Sequence, residues 1–365
     1  MKRAFHLFDK IAAFDNLLRA FYAARKGKRH KRNVARFEAN LEAELFRLQS
    51  EIQTGTYQPG PYRTFKIYEP KERMISAAPF RDRVVHHAVC QIIEPLFEPT
   101  FVYDTYANRK GKGTHAGIRR CQTFCRQYRY VLKADIRKFF PSIDHQILKE
   151  LIARKIGCQR TLDLICTIID ASNPQEPVDD FFPGDDLFAA LRRRGLPMGN
   201  LTSQFLANLY LSPLDHFAKE QLGFRGYARY VDDFVLFSDD KAKLNDAKKL
   251  IAAFLTGNLR LRLHPIKCQV FPVAAGVDFL GQRITGRVRL LRKSNVRRFW
   301  RRTEHRLRGY FTRTLPPATL EAQLNAWLGH LRQADARGLE RRVFSNLVGR
   351  GVWLCRDLNG AWRVF

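Results

Sequence analysis

Apolar residues recur along the chain with two different periods, which predict helices in some segments and strands in others. Within residues 1–57, apolar positions such as Leu45 and Leu48 recur every three or four residues, as they do on one face of a helix. From 131 to 136 the period is two, which predicts a strand that carries Asp135 on its more polar face. The pattern therefore predicts a mixed α/β fold.

The second half of the chain continues this alternation of helices and strands. Two short apolar strands flank Asp232 and Asp233, an amphipathic helix is predicted at 241–255, and residues 294–345 are predicted to be helical and very basic. Residues 171–194 form a loop-rich insert with two Asp pairs among Pro and Gly. Because no strand fixes these acids in place, solvated loop carboxylates are favoured there over a metal site.

The charge of the chain indicates a polyanionic partner. Its 64 Lys and Arg residues exceed its 35 Asp and Glu residues, which gives a formal net charge of +29 at pH 7. Solvated protein surfaces normally mix both signs, whereas an excess this large favours binding to the phosphates of a nucleic acid. On charge alone, ribosomal proteins, phage structural proteins and proteins that are merely basic remain alternatives.

The composition also argues against membrane and secreted classes. No apolar run reaches the length of a membrane span, and Asp9 and Lys10 lie where a signal peptide would be apolar. The seven cysteines are scattered, and the close pair Cys121 and Cys125 lacks the further ligands of a zinc site. We therefore expect a cytoplasmic protein with reduced thiols and no membrane partner.

The sharpest chemical signal is the sequence Tyr-Val-Asp-Asp at 230–233, which lies between apolar segments and predicts a hairpin with two carboxylates at its tip. Adjacent carboxylates repel each other, and a bound divalent cation removes that cost. Asp135 ends a second predicted strand about a hundred residues earlier. Phosphoryl transfer by two metals needs carboxylates that converge from separate elements, so these residues are candidate metal ligands. The alternative role for Asp135 is a helix cap before Pro141.

These segments resemble the motifs of reverse transcriptases, and most closely those of bacterial and phage diversity-generating retroelements. LKADIRKFFPSIDH resembles the first catalytic motif, YVDD the second, and GLPMGNLTSQ the motif between them. The matching segments occur in the family's order over residues 60–345. The resemblance implies a right-hand α/β (α+β) polymerase with fingers, palm and helical thumb, and two Mg²⁺ ions at Asp135, Ile136, Asp232 and Asp233.

The resemblance also implies roles for residues that contact the nucleotide. Phe140, five residues after the first carboxylate, matches the family's steric gate against the ribose 2′-hydroxyl, and core packing is its alternative role. Met198 and Gly199 match positions along the incoming nucleotide and the template base. Lys71 and Arg73 match the positions that grip the triphosphate.

Further basic residues match positions for proton transfer and nucleic-acid binding. Lys267, in LRLHPIKCQV, matches the lysine proposed to protonate the leaving pyrophosphate, and a surface lysine is the equal alternative. The segment from LLRKSNVRR to WLGHLRQAD resembles the basic thumb. The predicted nucleic-acid-binding residues are Arg109, Arg292, Lys293, Arg297, Arg298, Arg301 and Arg302.

One departure from the common pattern indicates the subtype. Most reverse transcriptases read Pro-Gln-Gly where this chain reads Pro197-Met198-Gly199. Together with GNLTSQ, this implies the retroelement family, whose enzymes copy an RNA template, miscopy adenines and work with a small basic pentameric accessory protein. We therefore expect template RNA, a cDNA primer, dNTPs and such an accessory protein as partners.

Three other functions are alternatives to this interpretation. A retron or phage-defence reverse transcriptase is the nearest enzymatic rival. A catalytically idle RNA-binding scaffold would need a lost carboxylate, and an RNA-dependent RNA polymerase is disfavoured by Phe140. The expected organisation is an N-terminal helical extension at 1–57, fingers at 58–130, palm at 131–285 with the insert, thumb at 286–345 and a C-terminal tail at 346–365.

Overall fold

The computed structural model describes residues 3–68, 72–173, 176–178, 180–357 and 361–364. Helices predominate, and their bounds are α1 Phe8–Ala12, α2 Phe14–Arg25, α3 Arg32–Ala39, α4 Leu41–Thr54, α5 Phe80–Phe97, α6 Thr114–Gln127, α7 Phe139–Ser142, α8 His145–Ala153, α9 Gln159–Asp170, α10 Leu201–His216, α11 Lys241–Leu259, α12 Lys293–Phe311, α13 Pro317–Leu331 and α14 Arg337–Gly349. Short 3₁₀ or π-helical turns lie at Glu98–Thr100, Leu187–Leu191, Phe217–Gln221 and Val273–Ala275. No helix in the described ranges is both long and apolar enough to cross a membrane.

The strands form four small antiparallel sheets within the described residues. Their bounds are β1 Arg63–Ile67, β2 Arg73–Ala77, β3 Tyr130–Asp135, β4 Gly226–Tyr230, β5 Asp233–Ser238, β6 Gln269–Pro272, β7 Val277–Phe279, β8 Gln282–Ile284, β9 Arg289–Leu291, β10 Leu354–Arg356 and β11 Trp362–Val364. This mixture of helices and sheets confirms the predicted fold class.

The central sheet has the order β4-β5-β3-β6, with β3 and β5 in the middle. The predicted period of two is confirmed, since alternate residues of β3 enter different cores. Leu132 and Ala134 face the large core that is formed with helices, whereas Val131 faces a second core that includes Cys121 and Phe279. The sheet is therefore covered on both faces, and its carboxylates lie at one end.

The N-terminal helices are part of the same large core as the central sheet. Helix α2 packs along α5, and Leu17, Phe21 and Leu45 are fully buried with Val85 of α5. The helical periodicity in residues 1–57 is thus explained by burial of one face of each helix. The N-terminal helices therefore stabilise the central sheet through this shared core.

The hairpin β1–β2 is joined to the segment that precedes α10. The backbone N–H of Ser76 donates to the carbonyl of Met198 at 3.1 Å. The Asn200 side chain donates to the Ser76 carbonyl at 2.8 Å and accepts from the Ala78 N–H at 3.1 Å. The motif around Met198 is therefore held against β2 by both backbone and side-chain hydrogen bonds.

The acids of the insert are held in ion pairs, so the expectation of solvated loop carboxylates is wrong for two of them. Asp180 lies 3.2 Å from Arg137 and 3.5 Å from Arg262. Asp185 pairs with Arg192 at 2.5 Å, and its side chain is 2% exposed. The arginine excess of the chain supplies these partners, while Asp179 lies outside the described residues.

Helices α12–α14, in the segment predicted as a thumb, have a hydrophobic core of their own, and the segment expected as a C-terminal tail contributes to it. Val364 of β11 is buried in this core, and Trp362 stacks on Phe344 with ring centroids 4.0 Å apart. The backbone of Trp362 exchanges hydrogen bonds with the Asn325 side chain of α13 at 2.8 Å each. The described part of 346–365 is thus the end of α14 and a hairpin that packs on α13 and α14.

Asp144 is the residue that joins α8 to α11. Its carboxylate caps α8 by accepting from the N–H groups of Gln146 and Ile147 at 2.9 and 3.2 Å. The same side chain is fully buried and accepts from Arg260 at 2.9 Å. It therefore satisfies two helix donors and one guanidinium at once.

We expect Asp144→Ala to lower the free energy of unfolding by about 2–4 kcal/mol, because it removes the cap and the partner of a half-buried guanidinium. Asp144→Asn is the matched control, since its amide oxygen can still cap the helix while the charge is lost. Denaturant unfolding should place the Asn variant between the wild type and the Ala variant. Equal losses in both variants would mean that the cap contributes nothing.

Candidate active site

The catalytic carboxylates predicted from the sequence come together at one end of the central sheet. Asp135 ends β3 and lies directly opposite Asp233, the first residue of β5. Tyr230 pairs with Asp233 to close a tight hairpin, so Asp232 lies in its two-residue loop. The carbonyl of Asp232 accepts from the N–H of Ile136 at 3.3 Å, which ties the loop to the end of β3.

Two lysines pair with two of these carboxylates. Lys267 donates to Oδ2 of Asp135 at 2.9 Å, and Lys133 donates to both oxygens of Asp233 at 2.8 and 3.1 Å. Among the described residues, no three His, Cys, Asp or Glu side chains are already arranged to hold a metal ion. The carboxylates are neighbours, and the ammonium groups supply positive charge between them.

Burial and mutual repulsion act on the two carboxylates of the hairpin. Burial, with the nearby charges of Asp135 and Asp233, raises the pKa of Asp232 to about 6. Burial also raises the pKa of Asp233, although Lys133 opposes that rise. Asp232 is therefore the carboxylate with the least compensation for its negative charge.

The donor set fits Mg²⁺. The groups that converge are carboxylate oxygens, which hard divalent cations prefer. Asp135, Asp232 and Asp233 are the residues that would hold the ions. A cation of two positive charges would remove the repulsion that Asp232 now bears. Whether the backbone of Ile136 is a further ligand stays a prediction.

The residues predicted to contact the nucleotide differ in how far they are exposed. Phe140 is half-buried and packs against Phe139 with ring centroids 5.5 Å apart, whereas Phe139 is 2% exposed. Gly199 has a φ of +110° and is exposed, and Met198 is half-buried. Arg73 is exposed on β2, while Lys71 lies outside the described residues.

The predicted nucleic-acid-binding residues differ in their surroundings. On α12, Lys293, Arg297, Arg301 and Arg302 are exposed, and Arg298 is half-buried. Arg292 lies 3.5 Å from Asp278. The guanidinium of Arg109 is instead committed to the protein, since it donates to Glu98 at 2.8 Å and to the carbonyls of Val102 and Thr105 at 2.7 and 3.1 Å. A nucleic-acid contact for each of these residues stays a prediction.

Sequence reasoning missed two basic residues of the site. Lys133 shares a strand face with Asp135 two residues later, and that spacing was a signal that the two side chains project together. Arg229 lies within an apolar strand, and its side chain is fully buried against Asp215. A lone arginine in an apolar strand suggests a buried partner, but the sequence does not say that the partner lies on α10.

Comparison with known proteins agrees with this chemistry. Residues 66–284 match the family described as reverse transcriptase (RNA-dependent DNA polymerase). The chain is 28% identical over 293 residues to Protein YkfC of Escherichia coli (strain K12), which is 69% of this chain and 74% of that protein. It is 27% identical over 179 residues to the group II intron-encoded protein LtrA of Lactococcus lactis subsp. cremoris, covering 48% of this chain and 28% of LtrA.

A third relative is the retron Mx162 reverse transcriptase of Myxococcus xanthus, with 35% identity over 116 residues, 31% of this chain and 23% of that enzyme. The chain thus spans about a quarter of LtrA and of the retron enzyme. The family match covers more than half of the chain and includes all three aspartates. The chain therefore belongs to the reverse transcriptase (RNA-dependent DNA polymerase) family.

Proposed function

We propose that this protein extends a primer 3′-hydroxyl with deoxynucleotides on an RNA template, with two Mg²⁺ ions held by Asp135, Asp232 and Asp233. The observation that carries the proposal is the convergence of these carboxylates from β3 and from the β4–β5 loop, with Asp232 half-buried beside two like charges. Separate elements that meet at one point are what two-metal phosphoryl transfer needs.

Each side chain has a distinct part in this reaction. When bound, the Mg²⁺ ions would activate the attacking hydroxyl and stabilise the pyrophosphate that leaves. Lys267 lies at Asp135 in the free protein, so its ammonium group is close to the reacting phosphates and can hold the proton that the leaving group needs. Lys133 holds Asp233 in a fixed orientation with two hydrogen bonds. Position and charge, more than covalent chemistry, supply the catalysis.

The thumb supports binding of the duplex that forms. Helix α12 buries Phe299, Thr303 and Leu307 and exposes basic residues on its other side. Such a row of cations binds phosphates without reading sequence, and it fits the formal net charge of +29. We assign to this face the contact with the primer–template backbone.

For the biological role, we propose mutagenic copying of RNA in a diversity-generating retroelement, with a small basic accessory protein as partner. Met198, in place of the usual Gln, supports this assignment. Its carbonyl binds Ser76 of β2, so its position is fixed by the fingers hairpin. A thioether offers no hydrogen-bond donor to the nucleotide or the template, and this weakens the selection of correct base pairs.

A retron reverse transcriptase is the second candidate, favoured by the 35% identity over 116 residues to the retron Mx162 enzyme. The two roles differ in the RNA that is bound. Sequencing the RNA that co-purifies with the protein separates them, since a retron enzyme carries the noncoding RNA that it copies.

Asp232→Asn should abolish primer extension in Mg²⁺ while RNA affinity stays within a few-fold of the wild type, because a neutral amide cannot replace the metal ligand. Extension assays and filter binding measure the two quantities. Normal extension by this variant would rule out the metal assignment.

The effect of Asp232→Asn on stability should depend on pH, and this dependence tests the folding of the variant separately from its activity. The raised pKa of Asp232 means that the folded, metal-free protein binds a proton on this carboxyl more tightly than the unfolded chain does. Asp232 therefore does not lower the free energy of unfolding below the ordinary Asp pKa of about 4. Its destabilising effect grows as the pH rises and is complete above about 6. Without metal, Asp232→Asn should be more stable than the wild type at pH 7 by on the order of 1–3 kcal/mol, and equally stable at pH 4.

Phe140→Ala should raise ribonucleotide incorporation at least tenfold, since the ring would otherwise occupy the space of a 2′-hydroxyl, and should reduce deoxynucleotide incorporation much less. Phe139→Ala is the matched control, because that neighbouring ring is buried and its loss should lower stability without changing sugar selection. Competition assays with paired rNTP and dNTP substrates measure the ratio. An unchanged ratio in Phe140→Ala would leave Phe140 as a core residue.

Met198→Gln should lower misincorporation opposite template adenine several-fold, because the amide restores a hydrogen bond worth about 1 kcal/mol in the transition state for correct pairs. Met198→Leu is the control, since it keeps the volume and adds no donor. Deep sequencing of cDNA from an adenine-rich RNA gives the error rate. The same error rate in both variants would argue against the proposed role of Met198.

A further inference from the structure

The loop of the catalytic hairpin contains a residue in an unfavourable backbone conformation. Val231 has a φ of +57°, in the left-handed region that β-branched residues rarely adopt. It is the first residue of the two-residue loop between β4 and β5, where a positive φ is normally supplied by Gly. Something in the surrounding structure must hold this residue in place.

The side chain of Arg229 forms a hydrogen bond to this residue. Its Nη1 donates to the carbonyl of Val231 at 2.9 Å. The guanidinium is fully buried, and it forms a two-pronged ion pair with Asp215 through Nε and Nη2 at 2.6 Å each. It also donates to the side-chain oxygen and the carbonyl of Asn208 at 3.3 and 3.4 Å.

All five donors of this guanidinium are thereby accounted for, and only one of them reaches the catalytic loop. The other bonds fix the guanidinium to α10, where Asp215 also accepts from Tyr227 at 2.5 Å and from Thr105 at 3.3 Å. The backbone of Arg229 is bound as well, to the Asp104 carbonyl at 3.0 Å and the Tyr106 N–H at 2.9 Å.

We propose that Arg229 is a positioning residue that holds Val231 in its left-handed conformation and thereby fixes where Asp232 points. The inference rests on the proposed role of Asp232 as a metal ligand. Arg229 lies beneath the loop, with its side chain bound by protein groups, and acts on the reaction only through the backbone of Val231. Lysine cannot replace it, because one ammonium group cannot reach Asp215, Asn208 and Val231 from a single point.

The test is a double-mutant cycle between Arg229→Lys and Val231→Asn. Asn tolerates a positive φ far better than Val, so a loop with Asn needs less support from the guanidinium. Arg229→Lys alone should lower kcat about tenfold to a hundredfold with little change in the KM for dNTP. In the Val231→Asn background, Arg229→Lys should lower kcat by a markedly smaller factor. An equal loss in both backgrounds would overturn the proposal.

Mn²⁺ binding to the protein without nucleic acid can be measured by electron paramagnetic resonance. This measurement does not depend on enzyme activity. Arg229→Lys should weaken Mn²⁺ binding several-fold, and Val231→Asn should restore part of it. The control is Tyr227→Phe, which removes one hydrogen bond to Asp215 and none to the loop. It should lower stability and leave Mn²⁺ affinity and kcat near the wild-type values, and an effect as large as that of Arg229→Lys would contradict the proposal.

Thermal unfolding keeps the proposal testable if Arg229→Lys does not fold. Val231→Asn should unfold at a higher temperature than Val231→Ala, since both lose the valine packing but only Asn tolerates the positive φ. A lower or equal midpoint for Asn would mean that the loop is not strained and that Arg229 has nothing to hold. A wild-type protein that neither binds Mn²⁺ nor extends primers would instead refute the proposed function.

Discussion

The rest of the site is arranged around the repulsion among the three carboxylates at one end of the central sheet. Buried negative charges that lie this close are costly, and each of the three has a different compensation. Asp135 and Asp233 have lysine partners, and Asp232 has none of comparable strength. In the proposed function, a divalent cation would therefore be stabilised most by Asp232, the carboxylate whose charge is least neutralised.

The same constraint explains why the loop beside these carboxylates is supported so heavily. A tight hairpin whose residues repel one another would relax into other conformations unless its backbone were fixed. The fixing charge on Arg229 is fully buried and already paired with Asp215, so it is not available as a counter-ion for the three carboxylates. The ion pair of Arg229 with Asp215 is costly to bury, and its value lies in the specific geometry that it imposes.

The parts of this protein that the sequence predicted well are those encoded by local patterns. The strand that ends at Asp135 and the hairpin at 230–233 follow from apolar periodicity and from residues adjacent along the chain. The partners of the charged groups did not follow, because they join distant segments. The insert shows this most clearly, since its acids look solvated until Arg137 and Arg262 come near them in the fold. Periodicity predicts which face of a helix or strand a residue occupies. The ion-pair partner of a charged residue depends on tertiary contacts between distant segments.

The division of the hydrophobic residues into separate cores bears on how the protein opens and closes. Helices α1–α4 share one large core with the central sheet, whereas α12–α14 and the final hairpin have a core of their own. Regions with separate cores can lose their structure independently, because few buried apolar contacts join them. In amide hydrogen exchange the thumb would therefore open as one cooperative unit while the N-terminal helices and the palm stay protected together. In the proposed function, this division would let the helices α12–α14 loosen their hold on a duplex and advance by one nucleotide without disturbing the three carboxylates.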